Sequence, residues 1–174
     1  QYAQQVINVA TQPIGDKQLF LKQLEQALYS SYILSYAQGL NMLTRASAHY
    51  QFGIPMASVA SIWRGGGIIR ATMLEKITGA YTQNPSLENL MADSYFAGEL
   101  QSVKKDFSFL VASALQAGIP VPGFSAALNY YLSYHSAWLP ANLIQAQRDF
   151  FGAHTYQRTD KDGIFHSAWS QIIR

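Results

Sequence analysis

From Lys17 to about Tyr50 the chain runs without a proline, and its apolar residues keep helical time. Leu21, Leu24 and Leu28 recur at spacings of three and four, and the pattern continues past Tyr36 and Met42. Asp16, just before this run, is the expected N-cap, because a short carboxylate can accept from the first unpaired backbone N–H groups. Read as one helix, the segment is about 50 Å long at about 1.5 Å rise per residue. Gly39 lies inside it and costs about 1 kcal/mol relative to alanine, a concession often made where another helix approaches closely. Phe52-Gly53-Ile54-Pro55 ends the run.

The remaining segments also read as helices. Residues 56–64 form a short one that leads into Arg64-Gly65-Gly66-Gly67, and Ile68 to Thr82 is the next, with Ile69, Met73, Leu74 and Ile77 on one face. Asn84-Pro85-Ser86 breaks the chain, and Leu87 to Met91 is a single short turn. Gln101 to Ala117 has the cleanest stripe: Val103, Phe107, Leu110, Val111, Ala114 and Leu115. Gly118-Ile119-Pro120-Val121-Pro122-Gly123 stops it. Ser125–Tyr134 and Asn142–Phe151 are two further helices. Residues 1–15 end in a Thr-Gln-Pro-Ile-Gly loop, and residues 152–174 read as an irregular tail with Asp160-Lys161-Asp162-Gly163 as a turn. No period of two marks a strand. The expected fold class is all-α: a helical domain over 1–151 with one long N-terminal helix, followed by a tail over 152–174 that needs a partner surface.

Composition narrows the function. Charged residues make up 13% of the chain and apolar residues 49%, against about 25% charged in average globular chains. A surface so poor in charge is expected either to be covered in part by another chain or to enclose a large core behind a Ser/Thr/Gln/Asn-rich exterior. The net charge is +2 and the twelve Lys and Arg are scattered, unlike the dense basic stripe of a nucleic-acid binder. There is no cysteine, hence no disulfide framework and no thiolate metal site, which fits a cytoplasmic protein. No apolar run approaches the roughly 18 residues of a membrane span. The opening Gln-Tyr-Ala-Gln-Gln lacks the basic start of a signal peptide and reads as the middle of something longer.

The chemistry concentrates in Leu139–His154. Arg148 is a permanent planar cation with five donors, suited to a phosphate or carboxylate. His154 lies just past Gly152, where a helix should stop and the chain open. The two read as half of an anion site. Asp149 follows Arg148 directly, so on a helix the two point about 100° apart and should not pair. The corner Arg64-Gly65-Gly66-Gly67 invites a phosphate-loop reading. No strand precedes it and no Gly-Lys-Ser/Thr follows, so a tight turn between packed helices is the better account. His49 and His135 sit at helix ends as ordinary caps or surface residues, whereas His154 and His166 bracket the tail. No two histidines stand at a metal-binding spacing with a carboxylate, and no Gly-x-Ser-x-Gly elbow is present. Tyr130, Tyr131, Tyr134 and Trp138 read as packing and interface residues rather than a stacking platform.

Several ordered phrases resemble the C-terminal part of the decarboxylating 6-phosphogluconate dehydrogenase family. They are Leu139–His154, Ile62-Trp63-Arg64-Gly65-Gly66 with Ile68-Ile69-Arg70, Ser35-Tyr36-Ala37-Gln38-Gly39, Gly118-Ile119-Pro120-Val121-Pro122, and Arg158-Thr159-Asp160-Lys161 leading to Phe165-His166. The resemblance implies an NADP-dependent enzyme with an N-terminal Rossmann domain, a helical domain and a tail. It also implies a homodimer in which the tail of one subunit enters the other, and oxidation of 6-phosphogluconate at C3 followed by decarboxylation to ribulose 5-phosphate. On this resemblance Arg148 holds the substrate phosphate and His154 also contacts substrate, both in the neighbouring subunit's site. The dinucleotide glycines, the lysine base and the glutamate acid of the family have no counterpart here, so the chain alone is expected to be inactive. Gly67 stands where the family often has cysteine, and Ser167-Ala168 follows His166. The rival expectation is a stand-alone helical interaction module.

Overall fold

The computed structural model describes residues 15–172. The expected loop of residues 1–15 lies almost wholly outside them. The chain divides into two units, one ending at Tyr131 and the other beginning at Leu132.

In the first unit, α1 spans Lys17–His49, and Asp16 caps it by accepting from the N–H groups of Gln18 and Leu19. The helix ends where Gln51 and Gly53 take left-handed φ values of 57° and 65°. Ser47 Oγ accepts from Ile54 N–H at 2.8 Å and closes the turn. The buried side of α1 is not the leucine stripe. Leu21 and Leu28 are about half exposed, while Ala27, Ile33, Leu34, Ala37 and Leu40 are buried. The covered face mixes small and large apolar residues, and packing against the partner helix, not the spacing of the first leucines, decides which side is buried. Gly39 has no close neighbour: a Cβ there would meet open space.

α2 (Met56–Trp63) and α3 (Met73–Gln83) follow as a packed pair. α3 starts five residues later than the apolar pattern predicts. The Ile69 carbonyl, which would accept an intrahelical bond, is taken by the Tyr36 hydroxyl. Ile68 stands fully in solvent. A 3₁₀ turn, Leu90–Ala92, leads to α4 (Ser94–Gln116). α4 begins seven residues earlier than its apolar stripe indicates, because Asp93 caps it through Tyr95 and Phe96 N–H. α4 packs along α1, and Phe96, Leu100, Phe107 and Leu110 join Ile33, Leu34 and Leu40 in the core. Of the expected stripe, Leu115 is exposed.

α5 (Pro122–Tyr134) opens on Pro122 and its last turn crosses into the second unit. A proline suits the first helical position, where its missing N–H would have no partner anyway. Phe124 meets Phe107 edge to face at 6.3 Å. Buried Asn89 donates to the Tyr130 hydroxyl at 2.8 Å and accepts from Met91 N–H.

In the second unit, α6 spans Asn142–Gly152. The expected irregular tail contains a hairpin of two-residue strands, β1 (Tyr156–Gln157) against β2 (Ile164–Phe165), and a last turn of helix, α7 (Trp169–Ile172). Gly163, at φ 119°, turns the hairpin loop, where Arg158 pairs with Asp160.

Candidate functional site

The carboxylate of Asp149 organises everything around the two residues of interest. Asp149 sits in the third turn of α6, wholly buried. An ionised carboxylate only accepts hydrogen bonds, and four donors from the following segment converge on it. Thr155 N–H (3.0 Å) and His166 Nδ1 (2.8 Å) reach Oδ1, while Ser167 N–H (2.9 Å) and Trp169 Nε1 (2.9 Å) reach Oδ2. Burial pushes the acid's pKa upward. The donated bonds from His166, Ser167 and Trp169, with the attraction of His166, outweigh it and hold the pKa at about 2, below the usual 3.8. Because an ionised Asp149 can only accept, His166 Nδ1 is the donor of this bond, on a half-exposed ring.

Trp169 also packs edge to face on Phe150 at 5.8 Å, and Tyr156 and Ser167 share a hydroxyl bond of 2.9 Å. The segment after α6 is thus folded back onto the helix that bears Arg148. The chain turns through two non-glycine residues in left-handed conformation, Ala153 (φ 48°) and Thr155 (φ 62°). A β-branched residue at positive φ is costly, and the Thr155 bond to Asp149 holds it there.

Those two residues flank His154. The helix stop expected at Gly152 falls one residue later: Gly152 is still helical, and Ala153 carries the left-handed cap. Gly152 serves instead as space. A Cβ on it would lie 3.0 Å from Cδ2 and Nε2 of the His154 ring. Arg148 and Gly152 are four apart, so they share one face of α6. The His154 ring, laid over Gly152, therefore occupies the Arg148 side of the helix, while Asp149 points inward. Both side chains are exposed, and among the described residues neither has an ion-pair or side-chain hydrogen-bond partner.

Arg148, His154 and their supports make a cationic, donor-rich edge that is open to solvent. Neither residue lines either of two hollows formed by the described residues. One, of about 380 Å³, lies in this unit beside Trp138, Asn142 and Arg158. Another, of about 760 Å³, lies in the first unit between α1 and residues 68–73. The glycine-rich corner forms a tight turn after α2, with Gly66 at φ 124° and Arg64 paired to Glu75. Among the described residues no three His, Asp or Glu side chains converge as a metal site, and no helix is long and apolar enough to cross a membrane. His135 Nδ1 lies 2.8 Å from the Leu132 carbonyl, a helix-end contact. The Asp149 knot has no motif that sequence reading would detect. Its only trace is an aspartate in an otherwise almost uncharged helix.

A mostly helical body with an exposed arginine on α6 and an exposed histidine just past its end defines a class: a helical domain with a cationic edge open to solvent. The comparisons make the class specific. The profile of the 6-phosphogluconate dehydrogenase C-terminal domain matches residues 1–169, and the chain belongs to that family. It is 50% identical over 155 residues to the decarboxylating 6-phosphogluconate dehydrogenase of Staphylococcus aureus strain N315, covering 89% of this chain and 33% of that protein. It is 51% identical over 158 residues to the Escherichia coli K12 enzyme of the same name, covering 91% and 34%. The Plasmodium falciparum 6-phosphogluconate dehydrogenase, solved apo, with its cofactor NADP+ and with its substrate 6-phosphogluconate, superposes with a TM-score of 0.87. That match has 40% identity and covers 97% of this chain and 37% of that one. The chain spans about a third of the length of the curated relatives it matches.

Proposed function

We propose that this chain is the helical, substrate-capping part of an NADP-dependent decarboxylating 6-phosphogluconate dehydrogenase. The whole protein oxidises 6-phosphogluconate at C3 and releases its carboxylate as CO2 to give ribulose 5-phosphate. In this reading the Arg148 guanidinium holds the substrate phosphate by charge-assisted bonds, and His154 contacts the same substrate. The observation that carries it is the unpartnered Arg148–His154 edge of α6 in a chain of this family.

The residues described do not fit a dinucleotide. Their strands are two residues long, and their glycine-rich turn follows a helix rather than a strand, so no strand–glycine–helix cradle is available. In this reading NADP is held by other parts of the protein, where the nicotinamide can be set against the substrate, and the family resemblance places the proton-transfer groups there as well. The domain reading keeps 1–151 as the helical part and 152–174 as the tail. The half-built site is completed in a homodimer, where Arg148, His154 and the exchanged tail reach the neighbouring subunit. Exposed Leu143, Ile144 and Phe151 on α6 support a covering partner. The cysteine-free composition agrees with a cytoplasmic location.

The test is kinetic. The purified 174-residue chain mixed with NADP+ and 6-phosphogluconate should produce no NADPH absorbance. In the full-length enzyme, Arg148→Ala should raise the KM for 6-phosphogluconate while leaving the KM for NADP+ near its original value. An unchanged KM for the sugar acid, or a large change for the cofactor, would refute the assignment.

A further inference from the structure

Asp149 touches neither Arg148's charge nor any solvent, yet the residues that would meet substrate are arranged around it. Its Oδ1 takes the N–H of Thr155, the residue after His154, and the same oxygen takes His166 Nδ1. Its Oδ2 takes Ser167 N–H and the Trp169 indole. One buried group thus sets the entry of the loop, its exit and the return of the tail. We infer that Asp149 is the positioning residue of the Arg148–His154 edge, acting through Thr155 and His166 to hold the His154 ring over Gly152. This rests on the reading of Arg148 and His154 as substrate contacts.

The chemistry of the four donors makes the inference specific. Asparagine has the shape of aspartate but only one accepting oxygen. Turned one way, its NH2 faces the donors of Ser167 and Trp169, and both lose their acceptor. Turned the other way, it faces Thr155 N–H and forces His166 to move its proton from Nδ1 to Nε2. Either orientation leaves at least one donor of a buried knot unpaired, and the strained Thr155 backbone loses or shares its restraint. His166 is itself a tie in this scheme, and its Nδ1–H is the part that matters. An asparagine at 166 can place an amide N–H where Nδ1–H now lies, whereas leucine cannot.

The experiment uses the full-length dehydrogenase, with Arg148→Ala and His154→Ala measured beside Asp149→Asn, His166→Asn and His166→Leu. A charge-assisted contact is ordinarily worth about ten- to a hundredfold in affinity. Asp149→Asn is accordingly expected to raise the KM for 6-phosphogluconate about ten- to a hundredfold, with the KM for NADP+ within about twofold. His166→Leu should follow it, and His166→Asn should restore a KM near that of the parent. A role in folding alone would lower the active fraction and leave KM unmoved. If Arg148→Ala and His154→Ala leave KM unchanged, the substrate reading itself falls. If they raise it while an active Asp149→Asn enzyme keeps the parent's KM, only the positioning role falls. Should Asp149→Asn yield no soluble enzyme, the His166 pair decides. Equal KM for its two variants, whether raised or unchanged, overturns the inference.

Discussion

The two units are held together by different physics. In the first, α1 and α4 bury a continuous apolar interior, in which Ile33, Leu34, Leu74, Phe96, Phe107 and Leu110 are almost completely enclosed. In the second, the one fully buried side chain among the described residues is a carboxylate, Asp149, and large apolar side chains such as Leu143 and Phe151 face outward. Apolar burial is non-directional and roughly proportional to area, so it builds a body. Hydrogen bonds to a buried charge are directional, and each unpaired one is costly, so they fix a geometry. Under the proposed function the tied edge of the second unit is the part that must be held in place.

Emptying the apolar interior is the strongest way to test this division. Phe107→Ala should destabilise the first unit by about 3–5 kcal/mol through lost burial and a cavity, measured by denaturant unfolding. A loss below about 1 kcal/mol would show that α1 and α4 do not share one core. Next in size, Arg148→Ala in the full-length enzyme should weaken 6-phosphogluconate by about 1.5–3 kcal/mol, about ten- to a hundredfold. The unfolding midpoint should stay put because the side chain is exposed. Gly152→Ala separates stability from position more finely. Alanine favours a helical backbone by up to about 1 kcal/mol, but its Cβ would push the His154 ring aside. Stability should hold or rise while the KM for 6-phosphogluconate increases several-fold, and a variant with unchanged KM would show that the ring's seat on Gly152 is incidental.

Acid offers a test of the polar unit alone. The folded pKa of Asp149 lies at about 2, below the usual 3.8. Its contribution is therefore fully present above about pH 4 and is lost as pH falls toward 2. With Trp63 and Trp138 replaced by phenylalanine, Trp169 fluorescence should be steady from neutral pH down to about 4 and change below it. A transition at pH 6 would mean that another group ties the tail. The smallest effect expected is at the exposed Arg45–Glu88 pair, 3.0 Å apart. Arg45→Ala should cost no more than about 1 kcal/mol, and a larger loss would point to a role in the first unit that its surface position hides.

The regions also differ in how well they could be read in advance. Helices whose ends carry capping chemistry were legible: Asp16 marks the start of α1, and Gly118 with Pro120 marks the end of α4. Apolar periodicity found α4 but started it late, because Asp93 and the first two turns lie outside the stripe. In α1 the leucine spacing marks a helix but not its covered face: Leu21 and Leu28 are about half exposed, while Ala27, Ile33, Leu34, Ala37 and Leu40 are buried. At the candidate site, Arg148 in a nearly uncharged helix and His154 just past its end are visible in the sequence, as are the family phrases around them. Adjacent positions on a helix set Asp149 and Arg148 apart, and among the described residues they do not pair. The actual partners of Asp149, six to twenty residues onward, follow no periodicity.

What the sequence determined by itself is whatever local chemistry enforces: helix boundaries at caps and prolines, the all-α class, and the residue types available to meet an anion. What only the tertiary structure decided is which helix faces are covered and how the tail returns to Asp149. Those choices depend on groups far apart in the chain competing for the same space and the same two carboxylate oxygens, and no local pattern records the outcome of that competition.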